Sequence, residues 1–174
     1  MGPIEIVTTI RGGRRLGPAC RRLLGRLRRA TRRSGAGVTL LLTSDRSMRR
    51  LNREFRGKDQ TTDVLSFPAV SDLEPGRPHL GEIAISLPRA GRQARRADWR
   101  LRDELALLVT HGYLHLLGYD HEKDDGAMHR LEERLLLRTA GVVLDSRRTP
   151  WGERPAGRKG TVRPPRRRRT GRKS

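Results

Sequence analysis

The chain is poor in several residue types, and each shortage excludes something. Cys20 is its only cysteine, so no disulfide can form within the chain, which suits a reducing cytosol. No apolar run approaches the roughly 18 residues of a membrane helix, and the N-terminus lacks the pattern of a secretory signal. We therefore expect a cytoplasmic protein with no membrane partner. Aromatic residues make up only 3% of the chain, so an aromatic platform for stacking bases is not an obvious feature.

Acidic residues are scarce beside basic ones. The 174 residues carry 39 Lys and Arg against 19 Asp and Glu, a formal charge of +20. This excess predicts a polyanionic partner, with RNA or ribosomes ahead of membranes. Most of the basic residues are Arg, so the codon bias of a GC-rich genome is a second contributor.

The basic charge is concentrated at the C-terminus. Residues 145–174 hold 12 basic and 2 acidic residues, with Pro and Gly and no packing pattern. They predict a disordered basic tail after a single domain at 1–144. Such a tail would add salt-sensitive affinity for a phosphate backbone without sequence preference.

Three of the five histidines fall close together, at His111, His115 and His121. Histidines four residues apart lie on one face of a helix. Gly118 follows the apolar run and can take the left-handed conformation that ends a helix, so the chain can bring His121 back to the other two. Three imidazoles leave one coordination position open, which is typical of catalytic zinc rather than structural zinc.

The same spacing occurs in zinc proteases of the pattern H-E-x-x-H-x-x-G-x-x-H. The Glu of that pattern is the general base, and Gly112 stands in its place here. The sequence therefore predicts the metal ligands without the protease's base, which disfavours peptide hydrolysis.

Hydrophobic periodicity predicts an interleaved set of strands and helices. The predicted strands are Ile4–Thr8, Val38–Thr43, Val64–Phe67 and Leu80–Ser86. The predicted helices are 14–33, a helix capped by Ser44 or Asp45 and running through Asn52, Pro88–Ala97, Trp99–Leu117 with Asp98 as its cap, and Glu122–Arg138. We expect an α+β fold (an α/β sandwich), with one small mixed four-stranded sheet, about five helices and the zinc site at the end of the central helix.

Several polar residues lie outside the predicted metal site. His79 and His129 have no ligand-spaced partners, and we expect His129 at the surface. Glu82 is expected to face solvent from its strand. The arginines of helix 14–33 either contact RNA phosphates or form a solvated face, and the sequence does not decide between these.

Residues 51–68 (LNREFRGKDQTTDVLSFP) and residues 111–121 (HGYLHLLGYDH) form two long motifs, and these resemble motifs of the YbeY family of bacterial metal-dependent rRNA-maturation endoribonucleases. Residues 111–121 read HGYLHLLGYDH, which is similar to the family's H-G-x-L-H-L-x-G-Y-D-H. Residues 51–68 read LNREFRGKDQTTDVLSFP, which resembles its L-N-x-x-[YF]-R-G-K-D-x-x-T-D-V-L-S-F-P. The strand at 80–86 resembles a third family segment. The resemblance extends from about residue 4 to about residue 141.

The resemblance implies a specific activity. It implies a single-strand-specific endoribonuclease of 16S rRNA 3′-end maturation and ribosome quality control, cytoplasmic, with ribosomal or small-subunit protein partners and no small-molecule cofactor. It implies one Zn²⁺ per chain, bound by His111, His115 and His121. It also implies a functionally required arginine, which is Arg56 here.

Alternatives to these roles stay open at this point. Arg56 suits a phosphate because its donors are planar and bidentate, but it could instead pair with Asp59 or Asp63. Asp120 could orient a ligand imidazole or cap a turn. Two other functions compete with the nuclease: a zinc-containing ribosome-assembly or RNA-binding factor without essential catalysis, and a different zinc hydrolase.

Overall fold

A computed structural model describes residues 2–69, 78–121 and 124–144. The predicted basic tail at 145–174, and most of the predicted loop at 69–78, lie outside these residues. The described residues form β1 (Ile4–Thr8), α1 (Gly13–Ala30), β2 (Gly37–Thr43), α2 (Asp45–Arg56), β3 (Val64–Pro68), β4 (His79–Ser86), α3 (Leu87–Arg96), α4 (Leu101–Leu116) and α5 (Ala127–Ala140).

The four strands form one mixed sheet in the order β1-β2-β4-β3. β1 runs parallel to β2, and β2 runs parallel to β4 with Leu40 opposite Ile83. β3 lies at the edge and runs antiparallel to β4, with Leu65 opposite Ala84. The predicted α+β fold with one small mixed sheet and five helices is confirmed over the described residues.

The sheet is covered unequally on its two faces. Alternate strand residues such as Leu40 and Ile83 face the larger core, to which α1, α3, α4 and α5 contribute. The opposite face carries a small core of Met48, Leu65 and Ala84 beneath α2. The central helix α4 is buried along nearly all of its length. None of the helices in the described ranges is both long and apolar enough to cross a bilayer.

The predicted helix at 14–33 extends too far at its C-terminal end. The helix ends at Ala30, because Arg32 has a φ of 58° and the N–H of Arg33 bonds back to the carbonyl of Arg28 at 2.7 Å. This left-handed closure is usually made by glycine, so an arginine gave no sequence signal for it.

The start of α4 was also predicted wrongly. Asp98 has a φ of 54°, and the next N–H, that of Trp99, donates to the carbonyl of Ala94 at 2.8 Å. Asp98 therefore closes α3 and does not cap α4. The helix begins at Leu101, two residues later than expected.

The last helix begins at Ala127 and not at Glu122. Asp124 lies before it and accepts hydrogen bonds from the N–H groups of Gly126 at 3.1 Å and Met128 at 2.7 Å. The acidic residue was predicted in the first turn of the helix, but it acts instead as a cap for the free N–H groups.

Some arginines of α1 have a structural role that neither predicted alternative included. Arg28 is only 2% exposed, and its Nη1 donates to the carbonyls of Gly2, at 2.8 Å, and Ala36. Arg26 donates to the carbonyl of Thr139 at 2.9 Å. These guanidinium groups bind backbone carbonyls of the segments packed against α1, so they are not part of a free cationic face.

A buried carboxyl group lies near the start of α4. Glu104 is 2% exposed, and within the described part of the chain its Oε1 has no hydrogen-bond partner. Burial raises its pKa to about 7, and the nearby charge of Asp63 adds to the shift. Asp63 itself is held by the N–H of Val64 at 2.9 Å and by the amide of Gln93 at 2.7 Å.

This carboxyl should make the protein less stable as pH rises. The folded chain keeps the Glu104 proton up to about pH 7, whereas the unfolded chain loses it near pH 4.5. Between these values the folded state binds more protons, so the free energy of unfolding falls by about 2–3 kcal/mol. Urea unfolding at pH 5 and pH 8 should show this loss in the wild type and not in Glu104→Gln. The exposed Glu54→Gln is the control, and a Glu104 variant that follows the wild type at both pH values would contradict the shift.

Candidate metal centre

The three predicted ligands meet at the C-terminal end of α4. His111 is 4% exposed, His115 is half-buried and His121 is exposed. Gly118 has a φ of 86°, so the helix ends there as predicted and the chain turns back. The ring centre of His121 then lies 5.3 Å from that of His111 and 5.4 Å from that of His115. One nitrogen of each ring lies within 4.8 Å of the others, so the three residues could hold a metal ion.

Hydrogen bonds behind two of the rings fix their tautomers. His115 Nδ1 lies 2.9 Å from the carbonyl oxygen of Tyr119, which can only accept, so Nδ1 carries the proton. His111 Nδ1 lies 3.0 Å from Oε1 of Glu132, a carboxylate that is 1% exposed. Burial alone would raise the pKa of Glu132, but hydrogen bonds from His111 and His129 hold it below its usual value. Both Nδ1 atoms therefore donate outward, away from the cluster.

The two Nε2 atoms then face each other as acceptors. They lie 3.0 Å apart. Two lone pairs at this distance repel unless a cation lies between them, and tetrahedral zinc would separate its nitrogen ligands by about 3.3 Å. Burial, followed by the neighbouring imidazoles of His111 and His121, lowers the pKa of His115 to about 4. His115 is thus neutral near pH 7, which is the form of imidazole that binds metal.

Glu132 and the Tyr119 carbonyl are site groups that the sequence analysis missed. Buried acceptors behind ligand imidazoles orient the rings and increase their basicity. Glu132 follows Met128 by one helical turn, so it interrupts the apolar stripe of α5 with a charge.

α4 lies close against the sheet at Gly112. A Cβ atom there would lie 2.8 Å from Cγ2 of Ile83 and 3.0 Å from Oγ of Ser66. Ser66 also donates to the Gly112 carbonyl at 3.2 Å. The position therefore faces β3 and β4 and leaves no room for a side chain. The missing glutamate is thus excluded by packing as well as by sequence.

A groove of about 660 Å³ extends from the histidines around the open edge of β3 to the end of α2. Its basic lining residues are Arg56, Lys58 and Arg89. α2 runs four residues beyond the predicted Asn52, because Gly57, with a φ of 66°, ends it only after Arg56. The groove thus brings the predicted arginine and the three histidines into one site.

The two aspartates that the sequence offered as ion-pair partners of Arg56 interact with other residues. Asp59 forms a bidentate pair with Arg49, at 2.9 and 2.7 Å, and lies 3.9 Å from Arg53. Asp63 is bonded to Gln93. No described carboxylate lies within ion-pair distance of the Arg56 side chain, which is exposed to the groove.

The remaining polar candidates have mixed outcomes. His79 bonds to Glu82 at 3.0 Å, away from the cluster, and Glu82 is solvent-facing as predicted. His129 was predicted at the surface, which is wrong. It is only 20% exposed, and its Nδ1 lies 3.6 Å from Glu132. Asp120 lines the groove and acts on His115 through its charge, while the Tyr119 carbonyl accepts the imidazole hydrogen bond.

Comparisons with known proteins agree on one family. Residues 18–140 match the family described as Endoribonuclease YbeY. A relative of that name from Solibacter usitatus is 49% identical over 117 residues, which cover 67% of this chain and 75% of the relative. Another, from Thermus thermophilus, is 44% identical over 139 residues, covering 76% of this chain and 98% of the relative. The solution structure of a Thermotoga maritima protein is similar, with a TM-score of 0.57 and 29% identity, over 80% of this chain and 90% of that one. All three histidines and Arg56 fall inside the matched residues.

Gly112 yields a prediction opposite to the usual rule for helices. Replacing a helical glycine by alanine normally stabilises a protein by up to about 1 kcal/mol. Gly112→Ala should instead destabilise by about 1–3 kcal/mol, because its methyl group meets Ile83 and Ser66. Gly91→Ala is the matched control, since a Cβ at that position in α3 would meet only the end of Arg95, at 3.7 Å. Thermal or urea unfolding measures both, and equal stabilisation by the two substitutions would show that α4 is not held against the sheet at Gly112.

Proposed function

The chain belongs to the Endoribonuclease YbeY family, and we propose that it is a single-strand-specific, zinc-dependent endoribonuclease of 16S rRNA 3′-end maturation and ribosome quality control. The observation that carries this proposal is the convergence of three imidazoles and one arginine on a single groove. The relatives' names support RNA as the substrate. The family resemblance supports the 16S rRNA target, the ribosomal partners, the cytoplasmic location and the preference for single strands.

Zinc is the metal that we propose for this set of three histidine ligands. The ligands would be His111, His115 and His121, with no cysteine or carboxylate among them, and such sets leave a position open for substrate. When bound, the ion would supply Lewis-acid chemistry at a phosphoryl oxygen. Glu132 and the Tyr119 carbonyl accept hydrogen bonds from Nδ1 of His111 and His115, which would orient the Nε2 atoms of these rings towards the ion.

Arg56 would bind the phosphate backbone next to the metal. Its guanidinium group can donate two parallel hydrogen bonds to phosphate oxygens. Because Asp59 and Asp63 have other partners, the arginine need not break an ion pair with either to receive a substrate. RNA carries a potential nucleophile in its own 2′-OH, and the group that accepts the proton of this hydroxyl would have to be other than position 112, which is glycine here.

Removal of a ligand tests the metal and the activity together. Purified wild type should contain stoichiometric zinc and cleave single-stranded RNA, and His115→Ala should lose both. His79→Ala is the matched control, because His79 bonds to Glu82 outside the cluster. Metal analysis and RNA cleavage should be measured on the same samples, with circular dichroism to confirm folding.

Two outcomes would count against this proposal. Full cleavage by a metal-stripped preparation would exclude a metal-dependent nuclease. A His115→Ala protein that melts much earlier yet still supports rRNA processing would favour the assembly factor with structural zinc. A casein assay checks the remaining protease alternative.

A neighbouring arginine provides the control that distinguishes a specific role of Arg56 from the effect of removing one positive charge. Arg56→Ala should lower kcat/KM for RNA cleavage by roughly 10- to 100-fold, as expected when a charge-assisted hydrogen bond is lost. Arg56→Lys should recover only part of this, because lysine cannot bind in a bidentate manner. Arg53→Ala removes the same charge from α2 but lies by Asp59, so it should retain nearly full activity. Equal losses from both alanine variants would reduce the effect to overall charge.

A further inference from the structure

One exposed aromatic ring lies at the end of α2, next in sequence to Arg56, and has no role in the site described above. Among the described residues, the exposed large hydrophobic side chains are Val7, Phe55, Leu137 and Val143. Phe55 is the only aromatic one, and 58% of it is exposed. Burying such a ring normally stabilises a protein, so its exposure calls for an explanation.

Phe55 is held in place by the other phenylalanine of the chain. Its ring centre lies 5.0 Å from that of Phe67, and the rings meet edge to face at 65°. Phe67 packs on the small core beneath α2, which fixes it to β3. The contact with Phe67 thus holds the Phe55 side chain in an orientation that leaves much of its ring exposed to solvent. The side chain would therefore lose little conformational entropy when a ligand binds.

The two phenylalanines are sequence neighbours of residues that line the groove. Arg56 of α2 and Pro68 of β3 line the groove, and each is the chain neighbour of one phenylalanine. Neighbouring Cα atoms are about 3.8 Å apart. Neither ring lines the groove itself, but Phe55 precedes Arg56 on α2, so a strand that binds at Arg56 and continues along α2 would meet the ring of Phe55.

The surroundings of the ring favour a nucleic acid over an apolar protein surface. α2 carries Arg46, Arg49, Arg50, Arg53 and Arg56 against only Asp45 and Glu54. Asp59 neutralises part of this charge by pairing with Arg49. A stacking surface set in a basic field is the usual combination for binding single-stranded nucleic acid.

We propose that Phe55 is a stacking subsite for one unpaired nucleobase of the RNA strand held in the groove. Phe67 is its positioning residue. The subsite rests on the proposed function for its substrate class. It binds a base by its flat face, so it would add affinity and place the strand without selecting a particular base.

Binding is measured with the zinc-loaded protein and a fluorescent 2′-O-methyl RNA oligomer, whose integrity is checked on a gel. Phe55→Ala should weaken binding about 5- to 100-fold, the range found when one base loses its aromatic partner. Phe55→Trp should bind at least as well as wild type, and Phe55→Leu should bind nearly as poorly as the alanine variant. Leu137→Ala is the matched control, since Leu137 is 59% exposed on α5, and it should not change affinity.

A scan of single abasic sites along the oligomer identifies the stacked base. At one position the missing base should cost the wild type its affinity but cost Phe55→Ala nothing. Wild-type affinity in Phe55→Leu would mean that the ring only shields the apolar surface beneath it and does not stack on a base. Unchanged RNA binding in Phe55→Ala would overturn the subsite. This includes the case in which the variant loses only its binding to a ribosomal protein. If RNA is bound through Phe55 but never cleaved, the proposed function fails and the subsite stands. If RNA cleavage depends on His115 but binding ignores Phe55, the reverse holds.

Discussion

The histidine cluster that could hold a metal depends on the close approach of α4 to the sheet at Gly112. A helix carrying any side chain there would have to move away from Ile83 and Ser66, and the flanking His111 would move with it. The hydrogen bond from Ser66 to the Gly112 carbonyl fixes the same contact from the side of β3. The glycine that removes a protease's base is therefore also the residue that lets the helix lie next to the edge strand. The packing at Gly112 therefore fixes the position of the histidines and also excludes the glutamate that acts as general base in zinc proteases.

A buried charge provides the second constraint. Glu132 on α5 is almost fully buried and lies against His111, so its burial is tolerated only while imidazole donors compensate it. The packing of α5 and the orientation of the His111 ring therefore depend on each other. The half-buried His129 approaches the other oxygen of this carboxylate and completes a short chain of polar contacts behind the site.

The fold and the clustering of the three histidines were largely predictable from the sequence, for local reasons. Strand and helix periodicities survive in the structure, and the left-handed Gly118 brings His121 back as its position in the sequence indicated. Helix ends closed by Arg32 and Asp98 were not predictable, because these residues rarely adopt left-handed conformations and nothing local marks them. The roles of Glu132 and of the Phe55–Phe67 pair depend on which elements pack together. A count of 3% aromatic residues could not show that both phenylalanines meet at one surface.

The open edge of β3 has a consequence for how copies of the protein meet. Asp63 accepts from the N–H of Ser86, and the N–H of Ala69 donates to Leu80, so the odd-numbered residues of β3 bond to β4 and the even-numbered ones face outward. Of the three outward residues, Val64 gives its N–H to the Asp63 side chain and Pro68 has none to give. Only the Ser66 amide is left, and a row of donors is what a strand from another molecule would need in order to add to the sheet. Among the described residues, this edge therefore offers few of the N–H groups through which another copy of the protein could add a strand to the sheet.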